Sequence, residues 1–121
     1  MQIEKLIPVL WTEHVEESIH FYTEILPFQL SAHDREANWA NVVWGEIEIM
    51  FSTPNAHVEQ RAIGFTGSFY FRCTDVETLY HAISTKVKLI YPLEVFSYGM
   101  KEFGCYDNNG YILNFGEQID Q

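Results

Sequence analysis

The most constraining feature of the chain is an order of elements that occurs twice. A β-type run, a helical pattern and three further β-type runs fill residues 5–52, and the same order returns in residues 67–116. The helix openings superpose when Val15-Glu16 is laid on Val76-Glu77. Because each copy alone has a sheet face that it cannot bury, the pattern predicts two βαβββ copies paired around a shared cleft.

The first copy has a clear helix signal. Apolar residues recur at helical spacing through 14–26, and Pro27 ends the pattern. The run before it, 3–12, contains Pro8, which confines that strand to an edge or a bulge. The other strands predicted for this copy are 28–33, 39–44 and 46–52.

The second copy carries the strongest turn signal. Asp107-Asn-Asn-Gly110 supplies residues that accept positive φ, with β-formers on both sides, and predicts a closing hairpin. Before it come a strand over 67–73 and a helix opened by a capping box, with Thr74 as N-cap and Glu77 reaching back. Residues 54–65 have no clean period and are interpreted as the connection between the copies.

Composition narrows the class of protein. The chain has 121 residues, 47% of them hydrophobic and 16% aromatic, which is enough for a packed core. Its net charge of −10 is typical of an acidic solubilising surface and argues against nucleic acid and anionic membranes as partners. With no secretory signal and no apolar run of membrane-spanning length, Cys73 and Cys105 are interpreted as reduced core residues in a cytoplasmic protein.

Four pieces of the chain form a distinctive set: Ser18-Ile-His-Phe-Tyr-Thr-Glu-Ile-Leu26, Thr74-Asp-Val-Glu-Thr-Leu-Tyr80, Tyr98-Gly-Met-Lys-Glu-Phe103 and Asp107-Asn-Asn-Gly110. Together they resemble the vicinal oxygen chelate superfamily, which includes glyoxalase I, extradiol dioxygenases and bleomycin resistance proteins. The terminal pieces are the most specific and are similar to bleomycin resistance proteins. The resemblance implies an α+β fold in which the two pseudo-repeated βαβββ units form an open half-barrel cleft.

The resemblance also implies the organisation and assembly of the protein. We expect a single domain over 1–121, made of a module 1–53, a connection 54–65 and a module 66–118. We further expect a homodimer, with strands shared or exchanged between the chains.

Enzymes of the superfamily place metal ligands at four strand positions. Here those positions fall at Ile7 or Pro8, Met50, Ser68 and Asn114, and none of these is His, Asp or Glu. Divalent metals in such sites need imidazole or carboxylate donors. A shifted alignment would place Glu48 or Glu117 at one of these ligand positions, but that would supply one metal ligand and not three. We therefore expect no metal and no other cofactor.

Side chains around the expected cleft favour binding over chemistry. The sequence has no glycine-rich phosphate loop and no nucleophile elbow, and its five histidines show no ligand spacing. Aromatic residues with an acidic rim suit a flat or cationic organic molecule. The residues expected to bind it are Trp39, Trp44, Met50, Ser68, Tyr98, Met100, Glu102 and Asn114.

The leading hypothesis is metal-independent binding or sequestration of a small molecule, in the manner of bleomycin resistance proteins. The alternative is a glyoxalase-type lyase or isomerase, or a dioxygenase, with an atypical metal site or an acidic base such as Glu102. A third hypothesis is a scaffold that serves as a subunit or regulator.

Overall fold

Each half of the chain folds as one four-stranded sheet with a helix on one face. The computed structural model describes residues 1–54, 63–64 and 67–119. The chain divides into two compact units, Met1–Arg61 and Ala62–Gln121. Both units have the βαβββ order, so the predicted α+β fold class and its repeated unit are confirmed.

The first unit has the strand order β1-β4-β3-β2. Its elements are β1 (Val9–Trp11), α1 (Val15–His20), a π-helical turn (Phe21–Ile25), β2 (Gln29–Asp34), β3 (Trp39–Trp44) and β4 (Ile47–Ser52). β1 runs parallel to β4, and the other neighbours are antiparallel. Alternation along β3 and β4 buries Val42, Ile49 and Phe51 on one face, where the Tyr22 ring lies 4.8 Å from that of Phe51.

The second unit repeats this topology with the order β5-β8-β7-β6. Its elements are β5 (Phe69–Arg72), α2 (Val76–Ile83), β6 (Lys88–Val95), β7 (Met100–Tyr106) and β8 (Ile112–Gln118). β5 is parallel to β8. Phe71, Phe115 and Phe103 stack across three adjacent strands at 5.1 and 5.2 Å, and Tyr80 of α2 packs edge-on against Phe103. This aromatic stack is the core side of the sheet.

The first strand and helix differ from their predicted extents. β1 begins only at Val9, because Pro8 has no N–H and takes part only through its carbonyl, which accepts from the Met50 N–H at 2.9 Å. The helix changes from α to π at Phe21, whose carbonyl accepts from the Leu26 N–H five residues on. Leu26 itself is extended, as the residue before a proline prefers to be.

The predicted capping box at α2 is wrong. Asp75, and not Thr74, is the N-cap, and its carboxylate accepts from both the backbone N–H and the hydroxyl of Thr78. Glu117 of β8 accepts from the Val76 N–H at 3.0 Å. A carboxylate distant in sequence therefore satisfies one of the free N–H groups at the start of the helix, for which the local pattern provides no acceptor.

Two predictions stay predictions. They are the module bounds, 1–53 and 66–118, and the cleft shared between the two modules. Most of the predicted connection 54–65 lies outside the described residues. Within the described ranges no helix is long and apolar enough to cross a membrane.

The closing turn offers a test of the fold. Asp107 is buried, and its Oδ1 accepts from the backbone N–H groups of Asn109 and Tyr111 at 2.8 and 2.9 Å. D107A removes this acceptor, so we expect the free energy of unfolding to fall by about 1–3 kcal/mol, measured by urea denaturation. D107N keeps an oxygen at the same place and is the control; equal stability of D107A and wild type would contradict this role.

Candidate functional site

The second unit has a sheet face that the aromatic stack does not use. Glu102 of β7 pairs with Gly116 of β8, and Gly104 pairs with Asn114. Since side chains alternate along a strand, these residues lie on the face opposite Phe103 and its stacking partners. We call this surface the open face of the second unit.

A buried carboxylate lies at the centre of the open face. Glu102 is 3% exposed. Its Oε1 accepts from the hydroxyls of Tyr70 at 3.2 Å and Tyr98 at 2.5 Å, and its Oε2 accepts from the hydroxyl of Tyr91 at 2.5 Å. A carboxylate buried in this way is costly unless donors surround it, and here three phenols from three segments of the unit supply them. We call these four residues the phenol–carboxylate cluster.

Asn114 extends the cluster by one bond. Its Nδ2 donates to the Tyr91 hydroxyl oxygen at 2.9 Å, so Tyr91 donates to Glu102 and accepts from Asn114. The Asn114 amide thus orients a phenol.

Two strand glycines make room for the phenols. A Cβ on Gly104 would lie 2.5 Å from Cε1 of the Tyr91 ring. A Cβ on Gly116 would overlap the Tyr70 hydroxyl and lie 3.1 Å from Cε of Met100. The rings of Tyr91 and Tyr70 therefore lie over bare backbone, which is why their hydroxyls reach Glu102.

An aromatic edge borders the cluster. The Phe96 ring stacks on Tyr98 at 5.4 Å with an interplanar angle of 10°, and it meets Tyr91 edge-on at 5.6 Å. Tyr98 is 62% exposed and Tyr70 is 47% exposed, whereas Met100 beside them is buried. Exposed aromatic surface around a polar centre is typical of a ligand site.

The cluster holds its phenols in the protonated form. The hydrogen bond to Glu102, with smaller contributions from burial and the nearby negative charge, raises the pKa of Tyr98 to about 12. Burial and then the bond to Glu102 raise the pKa of Tyr91 further still. The pKa of Tyr70 is raised chiefly by burial and then by the charge of Glu102, partly offset by Arg72.

The first unit has a smaller polar group on its corresponding sheet face. Buried Asn41 donates through Nδ2 to Ser31 at 2.6 Å and to Glu48 at 2.9 Å, and Lys5 pairs with Glu48 at 3.1 Å. The hydrogen bond from Lys5, followed by that from Asn41, lowers the pKa of Glu48. Met50 and Trp39 lie on this face by alternation with Asn41.

The predicted site residues therefore fall into separate groups. Tyr98, Met100, Glu102 and Asn114 come together in the second unit. Trp39 and Met50 lie in the first unit, where Trp44 instead packs edge-on against the core residue Phe28 at 5.4 Å. Ser68 is exposed and precedes β5.

Sequence reasoning missed Tyr70 and Tyr91. The available signal was glycine at two positions inside predicted strands, because such a glycine marks a close approach by another group. Which group approaches depends on the register of β5 and β6 against the hairpin, and that register was not readable from the chain.

The donors available for a metal are already engaged. Glu48 is paired with Lys5, and Glu117 accepts from the helix N–H of Val76. Among the described residues no group of three or more His, Cys, Asp or Glu side chains is placed to hold a metal ion. Cys73 and Cys105 are free thiols whose pKa burial raises, which disfavours the thiolate that metals and electrophiles require.

Alkaline titration tests the cluster. We expect Tyr98 to deprotonate well above the ordinary tyrosine pKa of 10.0, near 12, and E102Q to lower its pKa because the charged acceptor is lost. The measurement is phenolate absorbance, with Tyr98 assigned by the difference from Y98F. The folded state binds this proton more tightly than the unfolded chain, so its stabilising contribution is complete below pH 10.0 and is lost as the pH rises to about 12. An ordinary Tyr98 pKa in the wild type would contradict the geometry.

Glycine substitution tests the close approach. We expect G116A to destabilise the protein by about 1–3 kcal/mol, because the added methyl group displaces the Tyr70 hydroxyl. In a double-mutant cycle measured by urea denaturation, Y70A removes the obstacle, so the cost of G116A should be smaller in the Y70A background. G45A is unsuitable as a control because Gly45 has positive φ; G64A, which meets open space, is suitable. Additive costs for G116A and Y70A would show that the two residues do not collide.

Comparison with known proteins identifies the family. Residues 6–115 match a family model that is described as "Glyoxalase/Bleomycin resistance protein/Dioxygenase superfamily". No curated protein matches the chain.

Similar solved structures agree in fold. One is a protein of unknown function from Agrobacterium tumefaciens str. C58, 21% identical, with a TM-score of 0.79 and coverage of 98% of this chain and 97% of that one. Another is a glyoxalase/bleomycin resistance protein/dioxygenase from Alicyclobacillus acidocaldarius, 13% identical, with a TM-score of 0.75 and coverage of 97% and 92%. A third is lactoylglutathione lyase from Agrobacterium tumefaciens, 12% identical, with a TM-score of 0.69 and coverage of 94% and 92%. Because its family model spans nearly the whole sequence, the chain belongs to the glyoxalase/bleomycin resistance protein/dioxygenase superfamily.

Proposed function

We propose that the protein binds a small, flat organic molecule on the open face of the second unit, without using a metal and without transforming it. The observation that carries this proposal is the phenol–carboxylate cluster. Its one carboxylate, Glu102, already accepts three hydroxyl hydrogens, while the rings of Tyr70 and Tyr98 remain half exposed.

The state of Glu102 argues against a role in proton transfer. A general base needs a lone pair directed at the substrate proton, and a substrate would have to displace one of the three phenol hydrogens to reach this carboxylate. Asn114, at the superfamily's last ligand position, is occupied with Tyr91 and offers an amide where a metal needs a carboxylate.

The exposed rings support binding. Phe96 stacks in parallel on Tyr98 and so supports the exposed Tyr98 ring, which offers a flat apolar surface beside the polar centre. A planar ligand lying against such a surface gains offset-stacking contact as well as apolar burial. Bleomycin-type sequestration, a homodimer and a cytoplasmic location belong to this same proposal.

The first experiment is a binding titration. The full-length protein is titrated by calorimetry with copper-bleomycin and with a panel of planar heteroaromatic compounds. We expect saturable binding of at least one, in the micromolar range or tighter, and at least a tenfold loss of affinity in Y98A, which corresponds to about 1.4 kcal/mol. V95A is the matched control, because Val95 is also exposed but lies opposite Lys101, whose side chain reaches Glu77 of α2 on the other side of the sheet.

A metal assay separates this proposal from the enzyme alternative. Protein purified without chelator or affinity tag is analysed for Zn, Ni, Mn and Fe. We expect less than one ion per chain and no loss of ligand binding after treatment with a chelator. Stoichiometric metal that is lost together with binding would instead support a lyase, isomerase or dioxygenase.

A further inference from the structure

The directions of the hydroxyl hydrogens in the phenol–carboxylate cluster determine what the open face offers to a ligand. A phenol has one hydrogen to donate. Tyr70, Tyr91 and Tyr98 each direct that hydrogen to Glu102. Their oxygens therefore have only lone pairs left for any further partner.

Two of these oxygens remain open. Tyr91 already accepts from Asn114, whereas no residue in the described part of the chain donates to the oxygen of Tyr70 or Tyr98. Both hydroxyls bond to the same carboxylate oxygen, Oε1 of Glu102, so the two free acceptors lie side by side. Both belong to half-exposed side chains.

The charge behind these acceptors is negative. Glu102 lies directly behind them, and the field of Glu94 reaches Tyr98 from β6. The positive charge of Arg72 acts on Tyr70 in the opposite sense and is outweighed there by Glu102. Two adjacent acceptors backed by a carboxylate, with aromatic faces beside them, favour a cation that carries N–H donors and disfavour an anion.

We propose that the Tyr70 and Tyr98 oxygens above Glu102 form a subsite for a protonated N–H donor, an ammonium or amidinium group attached to an aromatic body that lies against the exposed Tyr98 ring. This inference rests on the proposed function and names the class of its ligand. The subsite takes a primary or secondary ammonium better than a quaternary one, because only N–H groups use the two oxygens. It rejects a carboxylate in the same position, because each phenol would have to release Glu102 in order to donate.

A set of four probes with one aromatic body tests this selectivity. Naphthylmethylammonium, its N-trimethyl derivative, naphthylmethanol and naphthoate are titrated into the full-length protein by calorimetry at neutral pH. We expect the ammonium to bind about tenfold or more tightly than the alcohol. The trimethyl derivative, which has the charge but no N–H, should lie between them, and naphthoate should bind weakest.

Two variants assign the preference to the cluster. Y98F keeps the exposed ring and removes one acceptor, so we expect it to weaken the ammonium several-fold and to leave the trimethyl probe nearly unchanged. E102Q removes the charge, so the ratio of ammonium to alcohol affinity should fall to about one. Y106F is the matched control. Tyr106 lies on β7, the same strand as Glu102, but its ring contacts Lys88 and its hydroxyl does not bond to Glu102.

The outcomes distinguish the two proposals. Equal affinity for all four probes, or naphthoate as the tightest, would overturn the N–H subsite while leaving the binding function in place. An ammonium preference that is unchanged in E102Q would also overturn the subsite, since no carboxylate charge then lies behind the two oxygens. Failure of every probe and of the whole planar panel would overturn the binding function itself, and the subsite with it.

Discussion

The placement of side chains on the open face of the second unit depends on the hydrogen bonds that the Glu102 carboxylate accepts. A buried charge is tolerated only when donors surround it, and Glu102, at 3% exposure, obtains three from phenols on β5, on β6 and on the segment that precedes β7. Two of the phenols, those of Tyr91 and Tyr70, lie over backbone that carries no Cβ, which accounts for Gly104 and Gly116 within adjacent strands. One charged residue thus explains the placement of two glycines.

The same sheet has two faces with opposite chemistry. Phe103 and Phe115 stack on one side under α2, while Glu102 and Asn114, their neighbours along the strands, lie on the other. The period of two residues in a strand makes this separation automatic once the register is set. The core side stabilises the unit, and the open face is left to carry polar groups that a core would not accept.

The two units share topology but not chemistry. In both, the first strand pairs in parallel with the last, and antiparallel hairpins fill the rest of the sheet. In the first unit, however, the polar group on the corresponding face is the amide of Asn41. It donates to Glu48, and Glu48 forms a salt bridge with the exposed Lys5. Among the residues that the structure describes, only the second unit has a carboxylate enclosed by aromatic hydroxyls. The two copies therefore have the same strand order, and the phenol–carboxylate cluster lies in the second copy.

The sequence by itself determined the repeated βαβββ order and the closing hairpin, because these depend on local periodicity and turn chemistry. It also pointed to Tyr98, Glu102 and Asn114. Only the tertiary structure decided that Tyr70 and Tyr91 join them, that Glu117 accepts from the first N–H of α2, and that Trp44 packs against the core residue Phe28. Those outcomes depend on strand register and on contacts between residues distant in sequence, and neither is encoded in the local pattern of the chain.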